Sequence, residues 1–355
     1  MFRDTNYHVL YTDTAFKQFG DNFGYLLAQV PYHRSSRFLP SFLMGMIPEW
    51  RGWYSSSWVK KHLSEKFSSV YSFVYSTECM KYAHWVAKKR KIPLLVHLAD
   101  HSPEFEKSTS ANILRGASKL VCITEEMKSL YEQTLGRKDI EVLHNGAEQV
   151  CSELASPRPM PFSEQNPFIL CFIGGLFSHL HGDCIEDFFE AVSQLRKIIP
   201  CIEFHLYGQR QPSHFLEDLI HSDGCTHHGI VMPLEKKFEI MEKAHCFVIP
   251  SSFKEENHRH YRYSFPTKLP ELIASGRPIL SYGPRETATN RILETNNLGL
   301  RIHDRSVTKL VDVLKNLFNG QQTNTIIKNR VEPNILEIFS ASSVRSKLKD
   351  ILLSN

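Results

Sequence analysis

Short apolar runs typical of β-strands alternate with amphipathic stretches typical of helices along most of this chain. The strand-like runs cover residues 7–11, 70–75, 93–99, 120–124, 140–143, 168–173, 203–207, 246–250 and 278–281. The helical stretches cover residues 79–91, 125–135, 183–199, 212–220, 234–243, 307–318 and 340–353. Nearly continuous apolar strands separated by helices predict parallel sheets that are covered by helices on both faces. The sequence therefore predicts an α/β fold.

A proline-rich stretch divides the chain into two parts. Pro157, Pro159 and Pro161 place three prolines within five residues, which makes a stiff and exposed connection. With 355 residues, the chain is long enough for two domains that each bury a core. The predicted organisation is a first domain at 1–155, a linker at 156–167, a second domain at 168–335 and a final helical segment at 336–355.

Composition excludes several classes of function. A net charge of +4 with 23% charged residues makes general nucleic-acid binding an unfavoured function. The eight cysteines are scattered without a Cys-x-x-Cys pair, which predicts reduced, mostly buried thiols in a cytoplasmic protein. The first residues do not read as a signal peptide, and no apolar run approaches the ~20 residues that span a bilayer.

The segment 265–280 has the pattern of an anion-binding helix start followed by a strand. Pro270 lacks an amide hydrogen and fits only in the first turn of a helix, which predicts Thr267 as the N-cap residue. Amides near Thr267 and the charge of Lys268 would face an anion there. Glu271 lies one turn further, where its carboxylate can accept the hydroxyls of a ribose. The segment therefore predicts a nucleotide diphosphate site.

This segment resembles the donor-binding motif of retaining GT-B glycosyltransferases of family 4, in which two Glu residues flank a Phe. Aligned on Phe265, the second Glu is Glu271, while Tyr263 replaces the first. The residues Pro266, Thr267 and Lys268 are similar to a subgroup with Pro-Ser-Lys at this place. The resemblance implies two Rossmann-like domains that face a central cleft, with the last helix crossing back onto the first domain.

The resemblance also implies which residues bind the donor. These residues are Gly174, Gly175, Gly208, Arg210, Gly229, Ile230, Arg262, Tyr263, Pro266, Thr267, Lys268, Leu269 and Glu271. Where the family has an Arg and a Lys after its glycine loop, this chain has His179 and His181. Either these histidines stand in for the cations or they are surface residues, and Arg259 or Arg262 could replace the missing charge. No metal is predicted, because His179, His181 and Asp183 imply no fourth ligand.

Asp100 and His101 end a strand of the first domain, where the resemblance implies a His-Asp pair facing the cleft. Here the order is reversed. His101 is predicted to contact the donor sugar or the acceptor, with Asp100 positioning it, although Asp100 could instead be a structural cap. The predicted catalytic residues are His101, Asp100, Lys268 and Glu271.

Residues 34–62 combine aromatic and cationic side chains, among them Trp50, Trp53 and Trp58. This composition suits a lipid headgroup zone, and related enzymes that use lipid-linked acceptors contact membranes through their first domain. A buried helix with a basic edge is the alternative.

The predicted function is transfer of a sugar, with retention, from a UDP- or GDP-linked donor to a hydroxyl of a glycan or lipid-linked glycan in surface polysaccharide synthesis. The donor is the substrate, and no further cofactor is predicted. The predicted location is the cytoplasm, with a possible site of action at the inner face of the membrane. A nucleotide-sugar epimerase and a degenerate nucleotide-sugar-binding protein remain alternatives, the second because of Tyr263 and the missing Arg and Lys.

Overall fold

The computed structural model describes residues 10–11, 28–29, 69–74, 77–147, 162–209, 223–231, 234–320 and 331–354. A short parallel pair, β1 (Leu10–Tyr11) and β2 (Ala28–Gln29), precedes two larger parallel sheets. The predicted helix at 212–220 and the aromatic segment 34–62 lie outside the described residues, as do positions 1–9 and residues 156–161 of the linker.

The first large sheet has four parallel strands in the order β3-β4-β5-β6. Its strands are β3 (Val70–Val74), β4 (Leu94–Leu98), β5 (Lys119–Cys122) and β6 (Ile140–Val142). Its helices are α1 (Thr77–Arg90), α2 (Ser108–Gly116) and α3 (Glu125–Leu135), with a short 3-10 helix at Pro103–Glu106. All five residues of β4 are buried, as expected for a central strand with both faces covered.

The second large sheet has six parallel strands in the order β12-β11-β10-β7-β8-β9. Its strands are β7 (Phe168–Ile173), β8 (Ile202–Tyr207), β9 (Cys225–His227), β10 (Cys246–Pro250), β11 (Ile279–Tyr282) and β12 (Leu300–Ile302). The chain builds outward from β7 in one direction and from β10 in the other. Such a reversal opens a crevice at the carboxyl ends of the two central strands, where ligands bind in open α/β sheets.

The helices of this half complete the layers on both faces of the sheet. They are α4 (Ser178–Arg196), α5 (Leu234–Lys243), α6 (Glu255–Tyr263), α7 (Leu269–Ala274), α8 (Ala288–Thr295), α9 (Val307–Phe318) and α10 (Pro333–Ile338). The last helix, α11 (Ala341–Leu353), returns to the first sheet. There Val344, Leu348 and Ile351 pack with the buried residues Leu95 and Val121.

A single apolar core joins the two halves. Phe105, Met127 and Tyr131 of the first half are buried in one cluster with Phe265 and Leu269 of the second. The α/β class with two parallel sheets is therefore confirmed, and the overall arrangement is that of the GT-B fold.

The structure corrects the predicted elements at several places. Residues 255–263 form helix α6, although their charged composition suggested a solvated loop as one interpretation. Helices α2 and α8 and strands β9 and β12 were not predicted. Short strands and polar helices lack the long apolar runs that mark the other elements. No helix within the described residues has the length and apolar character needed to cross a membrane.

Candidate functional site

Glycines at the ends of three neighbouring strands form a compact backbone edge at the crevice. The amide of Gly174 donates to the carbonyl of Tyr207 at 2.8 Å, and that of Gly208 donates to the carbonyl of Gly229 at 2.8 Å. Gly208 has φ of 149°, and a Cβ placed on it would lie 1.7 Å from the carbonyl oxygen of Gly174. Only glycine fits at this position, so the loops after β7, β8 and β9 can approach a ligand with bare backbone.

The first turn of α4 supports this edge through His181. The residue departs from helical geometry, with φ of −141°, and its Nε2 lies 2.7 Å from the carbonyl oxygen of Gly175. Burial lowers the pKa of His181 to about 4. The interpretation of His181 as a phosphate-neutralising cation is therefore wrong, because a buried neutral imidazole that holds Gly175 carries no charge.

Asp183 and His179, which the sequence analysis considered with His181 as metal ligands, take part in other contacts. Asp183 accepts a hydrogen bond from the amide of Phe253 at 2.9 Å, and the side chain of Asn257 donates to the carbonyl of His179 at 2.8 Å. These bonds tie the start of α4 to the segment that follows β10. Within the described ranges, no three His, Cys, Asp or Glu residues are grouped to hold a metal ion.

Helix α7 begins one residue later than the sequence predicted. Its N-cap is Lys268 without a side-chain capping bond, so the assignment of Thr267 as N-cap is wrong. The amide of Leu269 donates to the carbonyl of Pro266 at 2.9 Å, which makes a turn before the helix and leaves Thr267 exposed. Pro270 does lie in the first turn, as predicted. Lys268 and Glu271 are therefore half-buried, while Leu269 is buried.

The carboxylate of Glu271 is held by a lysine that the motif did not identify. The Nζ of Lys237 in α5 bonds to Oε2 of Glu271. Burial is the largest effect on the pKa of Lys237 and lowers it; Lys268 lowers it further and Glu271 opposes both. Lys236 and Lys237 are adjacent in the sequence, and only the folded structure distinguishes the buried one from the exposed one.

In the first half of the molecule, His101 lies in the loop that follows β4, and its side chain is buried. Its amide donates to Oγ of Ser264 at 3.2 Å, and its ring meets the edge of Tyr263 at 5.0 Å between centroids. Its side chain is 1% exposed, with the nearest carboxylate oxygen, on Glu106, 3.6 Å from Nε2. Within the described structure, neither ring nitrogen has a hydrogen-bond partner. Burial, followed by the charge of Arg259, lowers the pKa of His101 to about 4.

The positioning of His101 by Asp100 stays a prediction, and the side chain of Asp100 is buried beside Ser264 and His260. Burial raises the pKa of Asp100, while a hydrogen bond with Ser264 and the charge of His260 act against that rise. Its side chain is thus associated with residues at the end of α6.

The segment from α6 to α7 also joins the two halves of the molecule. Oγ1 of Thr124 donates to the carbonyl of Tyr263 at 2.8 Å, and Arg259 pairs with Glu106. Arg262 is exposed, and its guanidinium carbon lies 5.7 Å from the centre of the Tyr263 ring. Tyr263, at the first Glu position of the motif, therefore packs on the His101 ring.

The remaining predicted residues fall into two groups. Gly229 and Ile230 follow β9 at the same edge, and the Ile230 side chain is 65% exposed beside the glycine backbone. Arg210, by contrast, lies outside the described residues. Of the predicted set, the fold therefore brings together Gly174, Gly208, Gly229 and Ile230, and it separately packs His101 against Tyr263.

Residues 167–319 match the family model described as "Glycosyl transferases group 1". No curated protein matches the chain.

Solved structures share the fold over most of the chain. The Anabaena protein Alr3699/HepE in complex with UDP-glucose is 16% identical, with a TM-score of 0.65 over 85% of this chain and 82% of that one. WaaG, a glycosyltransferase involved in lipopolysaccharide biosynthesis, is 17% identical, with a TM-score of 0.62 over 95% and 89% of the two chains. Sucrose-phosphate synthase from Thermosynechococcus elongatus is 15% identical, with a TM-score of 0.64 over 92% and 82%. The chain is a glycosyltransferase with the GT-B fold, and its residues 167–319 match the group 1 glycosyltransferase model.

Proposed function

We propose that this enzyme transfers a sugar from a nucleotide diphosphate sugar to a hydroxyl of a glycan or lipid-linked glycan. The observation that carries the proposal is the bare glycine edge at the ends of β7, β8 and β9, in the stretch that matches the group 1 model and that also contains Lys268 and Glu271. Two of the structures with the same fold are named as complexes with UDP or UDP-glucose.

Each part of the donor has a matching part of the site. The glycine loops after β7 and β8 admit the diphosphate because no Cβ intervenes. Glu271 accepts the ribose hydroxyls through its carboxylate. The backbone at Gly229 and Ile230 faces the base, and such contacts suit either a uracil or a guanine. UDP- and GDP-linked donors are therefore the first to test.

Charge accumulates on the departing diphosphate as the bond to the sugar breaks, and fixed cations lower that barrier. Since His181 is neutral, the positive charge must come from elsewhere. Lys268 is the nearest assigned cation, and Arg262 is exposed at the same segment. No side chain of the described residues is assigned as a nucleophile, and the proposed reaction is transfer with retention through an oxocarbenium-like transition state on the face that the diphosphate leaves.

His101 is proposed to contact the donor sugar or the acceptor. In the structure described here it is closed off by Tyr263 and by the Arg259–Glu106 pair. Because Arg259 belongs to the second half and Glu106 to the first, a separation of the halves would expose the imidazole. We propose that the donor enters when this pair is broken.

A role in surface polysaccharide synthesis at the inner face of the membrane, with contact through residues 34–62, completes the proposal. Deletion of residues 40–58 is expected to reduce sedimentation with vesicles that contain anionic lipid. Full retention of vesicle binding would contradict the proposed membrane contact, and it would not bear on the proposed transfer activity.

The transfer activity itself is tested with radiolabelled donors. Thermal shift across UDP, GDP and CMP sugars selects the donor, and label is then followed into a glycan acceptor extract. Transfer supports the proposal, and conversion of the donor without an acceptor would indicate an epimerase instead. Donor binding without transfer or slow hydrolysis would favour a binding protein, an alternative that the neutral His181 and Tyr263 specifically support.

A further inference from the structure

Lys237 is not part of the sequence motif, but the fold places it beside Glu271 of the proposed donor site. It lies in the first turn of α5, which follows β9, and Glu271 lies in the first turn of α7. Helices that connect parallel strands start at the carboxyl edge of the sheet, so both first turns lie at the crevice. The ammonium of Lys237 reaches Oε2 of Glu271 at that edge.

The two partners are buried to different degrees. The side chain of Lys237 is 12% exposed and that of Glu271 is 25% exposed. The ammonium is therefore the more buried partner, and it bonds to Oε2 of the carboxylate.

A second lysine completes a small charge cluster. Lys268 precedes α7 and acts on Lys237 as a like charge. One carboxylate and two ammonium groups leave the cluster with a net positive charge.

We propose that Lys237 is a positioning residue for the nucleoside half of the donor, holding Glu271 so that Oε1 accepts the ribose hydroxyls. This inference rests on the proposed function. Lys237 acts through Glu271, whereas Lys268, the N-cap residue of α7, is assigned to the diphosphate. If Lys237 bound the phosphates directly, its replacement would leave nucleoside affinity unchanged. If Lys237 competed with the ribose for Glu271, its replacement would tighten donor binding.

Calorimetric titration of the full-length protein with UDP, GDP, uridine and guanosine tests the inference. Lys237→Met is expected to weaken both the preferred nucleotide and its nucleoside about tenfold, the scale of one charge-assisted hydrogen bond. Lys236→Met, on the exposed neighbour in the same helix, is the matched control and is expected to bind like the wild type. Lys237→Arg should recover part of the loss.

A double-variant cycle separates positioning from a general structural role. If Lys237 acts through Glu271, Lys237→Met causes no further loss of affinity in a Glu271→Gln background. Additive losses, unchanged or tighter binding by Lys237→Met, or a loss confined to the diphosphates would each overturn the inference. Failure of the wild type to bind either UDP or GDP would instead overturn the proposed donor site, and this inference with it.

Discussion

Replacing Gly208 with alanine tests the glycine edge directly, since this position tolerates no side chain. Its φ of 149° is strained for any L-residue, and the new methyl would lie 1.7 Å from the carbonyl oxygen of Gly174. The backbone strain costs about 1–2 kcal/mol. Relief of the overlap costs about 1–3 kcal/mol more, because backbone rather than a flexible side chain must move. We expect a total destabilisation of about 3 kcal/mol.

Two other glycines provide matched controls. Gly229 has φ of 74° at the same edge and Gly136 has φ of 70° at the end of α3, and a Cβ on either meets nothing within 4 Å. Alanine at these positions is expected to cost only the backbone strain, about 1–2 kcal/mol. The contrast among the three variants therefore isolates the overlap between the ends of β7 and β8.

Thermal melts and nucleotide titrations measure the effect. For a domain of this size, about 3 kcal/mol corresponds to a Tm lower by about 6–12 °C. Nucleotide affinity should also fall for Gly208→Ala, because the ends of β7 and β8 are pushed apart. If Gly208→Ala has the same Tm as Gly136→Ala and binds nucleotide like the wild type, the close approach of the ends of β7 and β8 is not a feature of the protein.

The remaining predictions concern pH, the domain junction and one ion pair. Burial lowers the pKa of His181 from 6.5 to about 4. As the pH drops from about 6.5 towards 4, the unfolded state therefore binds a proton before the folded state does, and the free energy of unfolding falls. Between pH 6.5 and 5 the free energy of unfolding falls by about 2 kcal/mol. Denaturant unfolding at both pH values should show a smaller loss in His181→Gln, whose amide keeps a donor for Gly175, and an equal loss would contradict the buried neutral imidazole. Thr124→Val removes both the cap of α3 and the bond to Tyr263, and should cost about 2 kcal/mol in the same assay, against about 1 kcal/mol for Ser306→Ala, which removes a cap alone. Equal costs would mean that the bond between the halves contributes nothing. Arg259→Ala should change stability by less than about 1 kcal/mol because its side chain is 50% exposed, and a larger drop in Tm would show that the pair with Glu106 holds the halves together.

The elements that could be read from the sequence are those with a strong local signal. Strands β7 and β10 and helices α3, α5 and α9 match their predicted bounds, because apolar runs and helical periodicity report burial directly. The polar helix α6 and the three-residue strands β9 and β12 carry too few apolar residues for that signal, and tertiary contacts stabilise them instead.

The chemistry of the candidate site divides in the same way. The residue types at Gly174, Gly208, Lys268 and Glu271 follow from local pattern and resemblance, since backbone freedom and side-chain charge belong to the residue itself. Whether a given side chain is charged in the folded protein does not follow from local pattern. His181 loses its charge through burial, and Glu271 gains Lys237 from a helix 34 positions earlier in the chain.

The sequence by itself determined an α/β chain with glycines at the ends of its strands, because strand and helix signals and glycine positions are local properties. Only the tertiary structure decided that Tyr263 and the Arg259–Glu106 pair close over His101, and that Lys237 reaches Glu271. Burial and charge pairing depend on residues far apart in the chain, so they are settled only when the two sheets pack.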